Sequence, residues 1–423
     1  MDKTAGSTKK STPLVTASTV TPISATSDFE PLHDVRHQVQ LIRGALESEK
    51  REVGFFLGAG CPLGIYDKDG NASVKHIPDV ANLTVAVGAG LDGEAEFKKC
   101  WDKLANACTS DKTPVPNVEH ILTQLRTICA LKGAKEVDGM TAEGLAKLDE
   151  RICRLIAAAV GRRLPEYANC YHRFANWIGR ADRVSPVEIF TPNYDLLFEE
   201  ALEFFKVPFF DGFVGTREPF FDLAAIEYDA LPVRWTRLWK LHGSINWIKR
   251  NDASVFRCYP PGEQQLLIYP SHLKYDQSRR MPFLAMIDRF WAFFRKTNPI
   301  LIICGYSFAD EHLNEVLLDG LRGNQSAHCF ALMYSSLKDC EVAKRHATRM
   351  GNLSVLACDG AVIGNRPGAY KTVDRTAVTN GIGFDAGPVV KAGDAAGPGL
   401  CRLGDFHHFG LFLETQFGGK ANS

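Results

Sequence analysis

No two of the twelve cysteines, at positions 61, 100, 108, 129, 153, 170, 258, 304, 329, 340, 358 and 401, form a C-x2-C pair. That spacing argues against a zinc ribbon, whose thiolates converge from closely paired positions. Most lie in apolar surroundings such as IICGY and SVLACDG, where a reduced thiol acts as a small hydrophobe, and a reducing cytosol suits them. An excess of either charge is also missing: 49 basic and 49 acidic side chains give a formal net charge of zero. The bulk attraction of a protein that wraps nucleic acid is therefore absent, and non-specific DNA binding is not expected, although a local patch fits inside a neutral total. No apolar run approaches the ~18 to 20 residues of a membrane span, and the start of the chain lacks the apolar core of a secretory signal. A cytoplasmic location is expected. No cluster of metal-binding carboxylates points to a nuclease.

What is there reads as an ordinary globular chain of 423 residues, 45% hydrophobic and 23% charged. Such a length suits two or three compact units, or one large α/β domain with an insertion. Residues 1–28 hold twelve Ser or Thr and little that is large and apolar beyond Leu14 and Ile23. That is too little burial to offset the entropy of ordering them, so 1–33 is expected to be a disordered tail. From Asp34 the apolar positions Val35, Val39, Leu41, Ile42 and Leu46 predict an amphipathic helix to about Arg51.

Short apolar runs with turn chemistry at their exits then alternate with helical stretches. The runs are VGFFLG, VEIFTPN, RLWKLHG, QLLIYP, PILIICGYS, CFALMYS and LSVLACDG. Several are apolar at consecutive positions, as in strands covered on both faces of a parallel sheet. The alternation predicts a Rossmann-like, doubly wound α/β sheet over residues 34–83 and 183–360. Residues 84–182 offer helical segments and no convincing strand, which predicts a helical insertion or cap. The extension 361–423 follows; the region from Gly360 holds thirteen glycines in 64 residues, about three times the usual ~7%, which predicts irregular structure. Its closing LCRLGDFHHFGLFLETQF regains apolar density and is expected to dock on the body or on another subunit.

Four strand exits carry candidate chemistry. The first enters GAGCPLG, where Gly58, Ala59 and Gly60 would let backbone N–H groups approach a phosphate. The strict G-x-G-x-x-G spacing fails, because the third glycine is Gly64, and a plain tight turn explains the motif about as well. The second enters TPNYD: Asn193 or Asp195 could simply cap the next helix, and Thr191 could be a buried turn hydroxyl. The third places His242 before Gly243, where a structural histidine is the plainer reading. The fifth offers Gly305 and Ser307, which also suit a turn and a helix cap. Independent caps and turns, however, have no reason to gather at one edge of one parallel sheet.

Taken together these residues resemble the sirtuin family, enzymes that bind NAD and break its nicotinamide–ribose bond. The likeness spans residues 53 to about 360. GAG at 58–60 is similar to the family's phosphate-loop motif, IPD at 77–79 to its following segment, and TPNYD to its N-x-D motif. His242-Gly243 is similar to the catalytic histidine motif, GYS at 305–307 to the ribose-contacting motif, and Asp359-Gly360 to the adenine loop. The departures matter as well. Cys61-Pro62 replaces the usual pair after GAG, about a dozen extra residues separate Gly64 from IPD, and the arginine that normally follows is absent. The zinc module of the deacylating members is missing, with Cys258 alone in its place.

NVEHILTQLR at 117–126 and GYSFADEHLNEVL at 305–317 resemble the bacterial anti-phage branch of the family. That resemblance implies an NAD+ glycohydrolase that depletes NAD on infection and needs no zinc. It implies a homo-oligomer working with a defence partner such as a HerA-type translocase ATPase. It assigns catalysis to Asn193, His242 and Asp195, and NAD binding to Gly58, Ala59, Gly60, Cys61, Asp79, Thr191, Gly305, Ser307 and Asp359. A protein deacylase and a non-catalytic NAD-sensing subunit remain as alternatives.

Overall fold

The computed structural model describes residues 32–69, 76–110, 115–130, 136–137, 139–250, 252, 254–258, 266–268, 281–374, 384–386 and 396–416. The predicted tail lies outside the described residues except for its last two positions. His33 is held at the sheet edge, its N–H donating to the Ala369 carbonyl at 2.8 Å. Helix α1 (Val35–Glu47) then starts at Asp34, whose carboxylate accepts from the N–H groups of Arg36 and His37.

The core is a nine-stranded sheet. In chain order its strands are β1 (Val53–Leu57), β2 (Glu188–Thr191), β3 (Phe209–Phe210), β4 (Thr236–Lys240), β5 (Ile300–Cys304), β6 (His328–Leu332), β7 (Leu353–Leu356), β8 (Gly360–Ile363) and β9 (Arg366–Ala369). They lie side by side as β9-β8-β7-β6-β5-β1-β2-β4-β3. Every pair from β3 to β7 is parallel, and β8 and β9 close the edge antiparallel. The expected doubly wound α/β architecture is present.

Burial explains why the runs read as continuously apolar. Phe55 and Leu57 of β1 join one hydrophobic cluster and Phe56 the other; Ile302 and Ile303 of β5 divide the same way. Alternate side chains thus enter two separate cores, one on each face of the sheet. On one face Phe55 meets Phe174 and Trp177 of α6 (Cys170–Arg180) with ring centres 4.9 and 5.6 Å apart. On the other, Phe56 and Phe190 meet Phe290 of α9 (Phe283–Phe293) at 5.4 and 4.9 Å. Between α6 and α9 run α7 (Leu197–Phe204) and α8 (Leu223–Tyr228); α10 (Glu311–Gly323) and α11 (Glu341–Ala347) connect the later parallel strands.

From β1 the chain works outward through β2 and β4, then returns to place β5 on the opposite side of β1. The β1–β5 junction is therefore the switch point, where open α/β sheets leave a crevice at the strands' carboxyl ends. Helices α2 (Val80–Gly90), α3 (Ala95–Cys108), α4 (Val118–Ala130) and α5 (Ala142–Val160) occupy the predicted insertion, with a two-stranded ribbon, Glu136–Val137 with Met140–Thr141, before α5.

Besides that ribbon, which lies where no strand is expected, two expectations differ from what is observed. The run QLLIYP supplies a strand, Leu266–Ile268, but it pairs antiparallel with Gly243–Lys249 in a separate five-stranded sheet. No helix separates these two strands among the described residues, so nothing carries the chain back to a parallel edge. Beyond Gly360, where irregular structure is expected, β8 and β9 form a hairpin. Its turn residues Gly364 and Asn365 both have positive φ (56° and 67°), the requirement of a tight two-residue hairpin loop. The final helix α12 (Phe406–Thr415) docks on the body, with Phe409 and Phe412 fully buried.

Candidate functional site

The loops leaving β1 and β5 lie backbone against backbone at the switch point. Gly58 N–H donates to the Cys304 carbonyl at 2.9 Å, and Gly60 N–H to the Gly305 carbonyl at 2.8 Å. A Cβ on Gly58 would overlap the Gly305 carbonyl oxygen; one on Gly305, whose φ is +67°, would lie 2.6 Å from the Cys61 nitrogen. Glycine is required here first because two main chains touch.

A cavity of about 210 Å³ opens beside these loops. Ala59, Asn193, Asp195, His242, Gly305 and Ser307 all line it, so residues from four strand exits meet in one place. Asn193 is buried and held by its neighbours: its Nδ2 donates to the Gly58 carbonyl at 3.1 Å, and its N–H to Thr191 Oγ1 at 3.1 Å. Thr191 hands its own hydroxyl proton to the Leu57 carbonyl at 2.7 Å. It is therefore a buried strut that ties β2 to β1 and aims Asn193.

Asp195 does two things. It accepts the Leu197 N–H at 3.1 Å at the start of α7, and it lines the cavity. Burial raises its pKa to about 6, against the opposing pull of Lys240 and of the Leu197 hydrogen bond.

His242 is buried with Nε2 3.1 Å from Oδ2 of Asp310, and its Nδ1 meets no partner among the described residues. Burial by itself would favour the neutral imidazole. The adjacent Asp310 carboxylate, with the charge of Glu119 adding to it, outweighs that and lifts the pKa above the ordinary histidine value. Asp310 begins α10, where Oδ1 accepts from the N–H groups of His312 and Leu313 at 3.0 and 3.1 Å. The turn before it holds Phe308 at φ +59°, a strained position for a bulky residue, pinned where Asn314 Nδ2 donates to the Phe308 carbonyl at 2.8 Å.

The helical segment 84–182 supplies a wall of the cavity through Val118, Glu119 and Val160, with Ile77 and Leu83 from just before it. Glu119 accepts the Tyr194 hydroxyl at 3.1 Å, fastening α4 to the loop that carries Asn193. The insertion is thus part of the site. No lysine or arginine lines the cavity among the described residues; its charged groups are carboxylates and histidines.

Of the first loop Ala59 lines the cavity, with Gly58 and Gly60 flanking it, and three other predicted residues sit elsewhere. Cys61 is fully buried, its thiol directed to the Cys304 carbonyl at 3.4 Å, and burial pushes its pKa well up. Asp79 caps α2 by accepting the Asn82 N–H at 2.9 Å, while Ile77 and Pro78 before it reach the cavity. Asp359 accepts the Leu337 N–H at 2.7 Å beyond β7. Conversely, Asp310 and Glu119 were not singled out from the sequence. Both stand in segments noted for family likeness, yet a carboxylate at a helix start reads as a cap until its second oxygen is seen facing a histidine.

Residues 187–351 match the family model of the SIR2-like domain. This part of the chain is a SIR2-like domain. It holds Asn193, Asp195, His242, Ser307 and Asp310, while the Gly58–Gly60 loop that completes the cavity lies before the matched stretch. A SIR2-like domain suggests activity on NAD. Among curated proteins none matches the chain. No group of three or more His, Cys, Asp or Glu placed to hold a metal ion occurs among the described residues, and no described helix is long and apolar enough to cross a membrane.

Proposed function

We propose that this SIR2-like domain hydrolyses NAD+ at the nicotinamide–ribose bond. The observation that carries the reading is the meeting of Asn193, Asp195 and His242 with the β1 and β5 loops around one cavity at the switch point. The unpartnered Nδ1 of buried His242 asks for a polar ligand.

Nicotinamide leaves as a neutral molecule because its ring nitrogen is cationic while bound to the ribose, so the leaving group needs no acid. The remaining demand is to stabilise an oxocarbenium-like sugar and to take a proton from the attacking water. In this reading Asn193, with its Nδ2 occupied by Gly58, presents its oxygen to the ribose and the water. Asp195 holds the nicotinamide end, and the cavity's carboxylates favour the cationic ring. His242, held by Asp310, accepts the proton from a ribose hydroxyl or from water. With no lysine or arginine on the wall among the described residues, the diphosphate falls to the backbone of the Gly58–Gly60 loop, with Gly305 and Ser307 beside the adenosine ribose.

The likeness of the 117–126 and 305–317 segments to the anti-phage branch supports a role as an NAD-depleting defence effector. Such an enzyme must be held in check, which favours weak activity in the isolated protomer and gain on assembly as a homo-oligomer with a partner such as a HerA-type ATPase. Nicotinamide release, measured with and without an acylated peptide and with and without the genomic partner, tests this reading. Release that needs no peptide supports hydrolysis; dependence on peptide would make the protein a deacylase, and binding without turnover a sensor. Equal turnover in protomer and assembly would remove the gating.

A further inference from the structure

A second cavity, of about 650 Å³, opens where α7 meets the five-stranded sheet. Leu196, Glu199 and Glu203 line one side, and Asn246, Ile248 and Phe256 the other. Two of these residues carry an acceptor with no partner among the described residues: Oε2 of Glu199 and Oδ1 of Asn246. The residues are only 8% and 7% exposed. Buried acceptors left without a donor are costly and call for a ligand.

Four glutamates and four arginines line the cavity, and Glu203 stands on the same helix as Glu199, α7. After burial itself, the Glu199 charge is the next influence raising the pKa of Glu203, and it raises that of Asp211 as well. Three of the arginines at the walls face other carboxylates, Arg257 with Asp211, Arg250 with Glu218 at 2.9 Å and Arg163 with Glu200 at 3.9 Å, and Arg217 is the fourth. Lys240 reaches only Oε1 of Glu199, at 2.9 Å, and also donates to the main-chain carbonyl of Asp195. The two cavities are therefore joined through Lys240.

We propose that this second cavity binds a primary alkylammonium group, carried by a free polyamine or by a lysine side chain. The ammonium would donate to Glu199 Oε2 and Asn246 Oδ1, and its methylenes would lie on Leu196, Ile248 and Phe256. Occupancy loosens the hold of Glu199 on Lys240 and so changes the electrostatics at Asp195. That coupling, unlike the binding, rests on the NAD+ reading.

The test is calorimetric titration of the full chain with spermidine and, separately, with the terminally blocked peptide acetyl-Gly-Lys-Gly-amide, using its Nε-acetylated form as the neutral control. Saturable binding of spermidine alone assigns a free amine, and of the peptide alone a partner's lysine; either supports the site. Asn246→Leu and Glu203→Gln, checked for cooperative melting, should weaken binding, the first by about ten-fold, as for loss of a hydrogen bond to a charged donor. Asn193→Ala should bind as the wild type does. No saturation with either ligand, equal binding by the Nε-acetylated peptide, or unchanged affinity in both second-cavity variants overturns the site. Nicotinamide release with and without spermidine then reads the coupling: an altered rate supports it, and an unchanged rate at saturation overturns it. Saturable binding in a chain that never releases nicotinamide leaves the site standing and defeats the hydrolase reading.

Discussion

Asp310 faces His242 with one carboxylate oxygen, 3.1 Å from Nε2, and caps α10 with the other. The same side chain therefore fixes both the start of a helix and the charge state of the candidate base. Helix and imidazole are coupled by one residue.

That coupling predicts the pH behaviour. A base must be neutral to act, so hydrolysis should rise with pH through a His242 pKa above the ordinary ~6.5. Asp310→Asn keeps the cap and removes the charge, leaving burial to dominate. The acid limb of kcat/KM should move to lower pH. For stability, a raised histidine pKa contributes fully below ~6.5 and is lost as pH rises through the folded value, so this variant should lose more stability at pH 6 than at pH 9. An unmoved acid limb would reduce Asp310 to a helix cap.

Removing a contact made in the transition state commonly lowers rate about 100- to 1000-fold. Asn193→Ala and His242→Ala should each fall by that factor in nicotinamide release while retaining a cooperative melt. More than a tenth of wild-type activity in either, measured at saturating NAD+, would sink the assignment.

Asp195 should reveal a conflict between stability and activity. Its pKa is raised to about 6, so the folded state holds a proton that the unfolded chain has released above pH ~3.9. That stability is present at low pH and lost as pH rises through 6. Asp195→Asn should therefore stabilise the protein at pH 8, by roughly 1 to 3 kcal/mol, with little gain at pH 4, and slow hydrolysis at both. Thermal melts at the two pH values check the sign; a variant less stable at pH 8 contradicts it.

The contact between the two glycine loops is equally open to test. Gly58→Ala drives a methyl group into the Gly305 carbonyl, so the loops must separate. A loss of about 1 to 3 kcal/mol and a weakened thermal shift on adding NAD+ are expected. Gly44→Ala on α1, where a Cβ meets nothing within 4 Å, should instead be neutral or stabilising. Equal behaviour of the two variants would refute the steric argument.

The sequence disclosed the sheet because its strands are covered on both faces, and continuous runs such as VGFFL or ILIIC suit little else. It disclosed the convergence of Asn193, Asp195 and His242 because carboxyl-end exits share one edge in a parallel sheet. It could not tell Thr191 and Cys61, which face inward, from residues facing the cavity, since one step along a turn reverses a side chain. It missed β8 and β9 because glycine content was read as irregularity, while Gly364 and Asn365 were specifying a hairpin. Asp310 was hidden by its capping role, and Glu119 by the 122 residues of chain between it and His242.

Helix α12 places Phe406 and Phe409 against Phe174 and Phe55, so the wall behind β1 is finished by residues more than 340 positions downstream of that strand. A nascent chain cannot close this face until α12 has emerged from the ribosome. Translation stalled after β9 would leave these aromatic rings bare, a surface suited to chaperone capture.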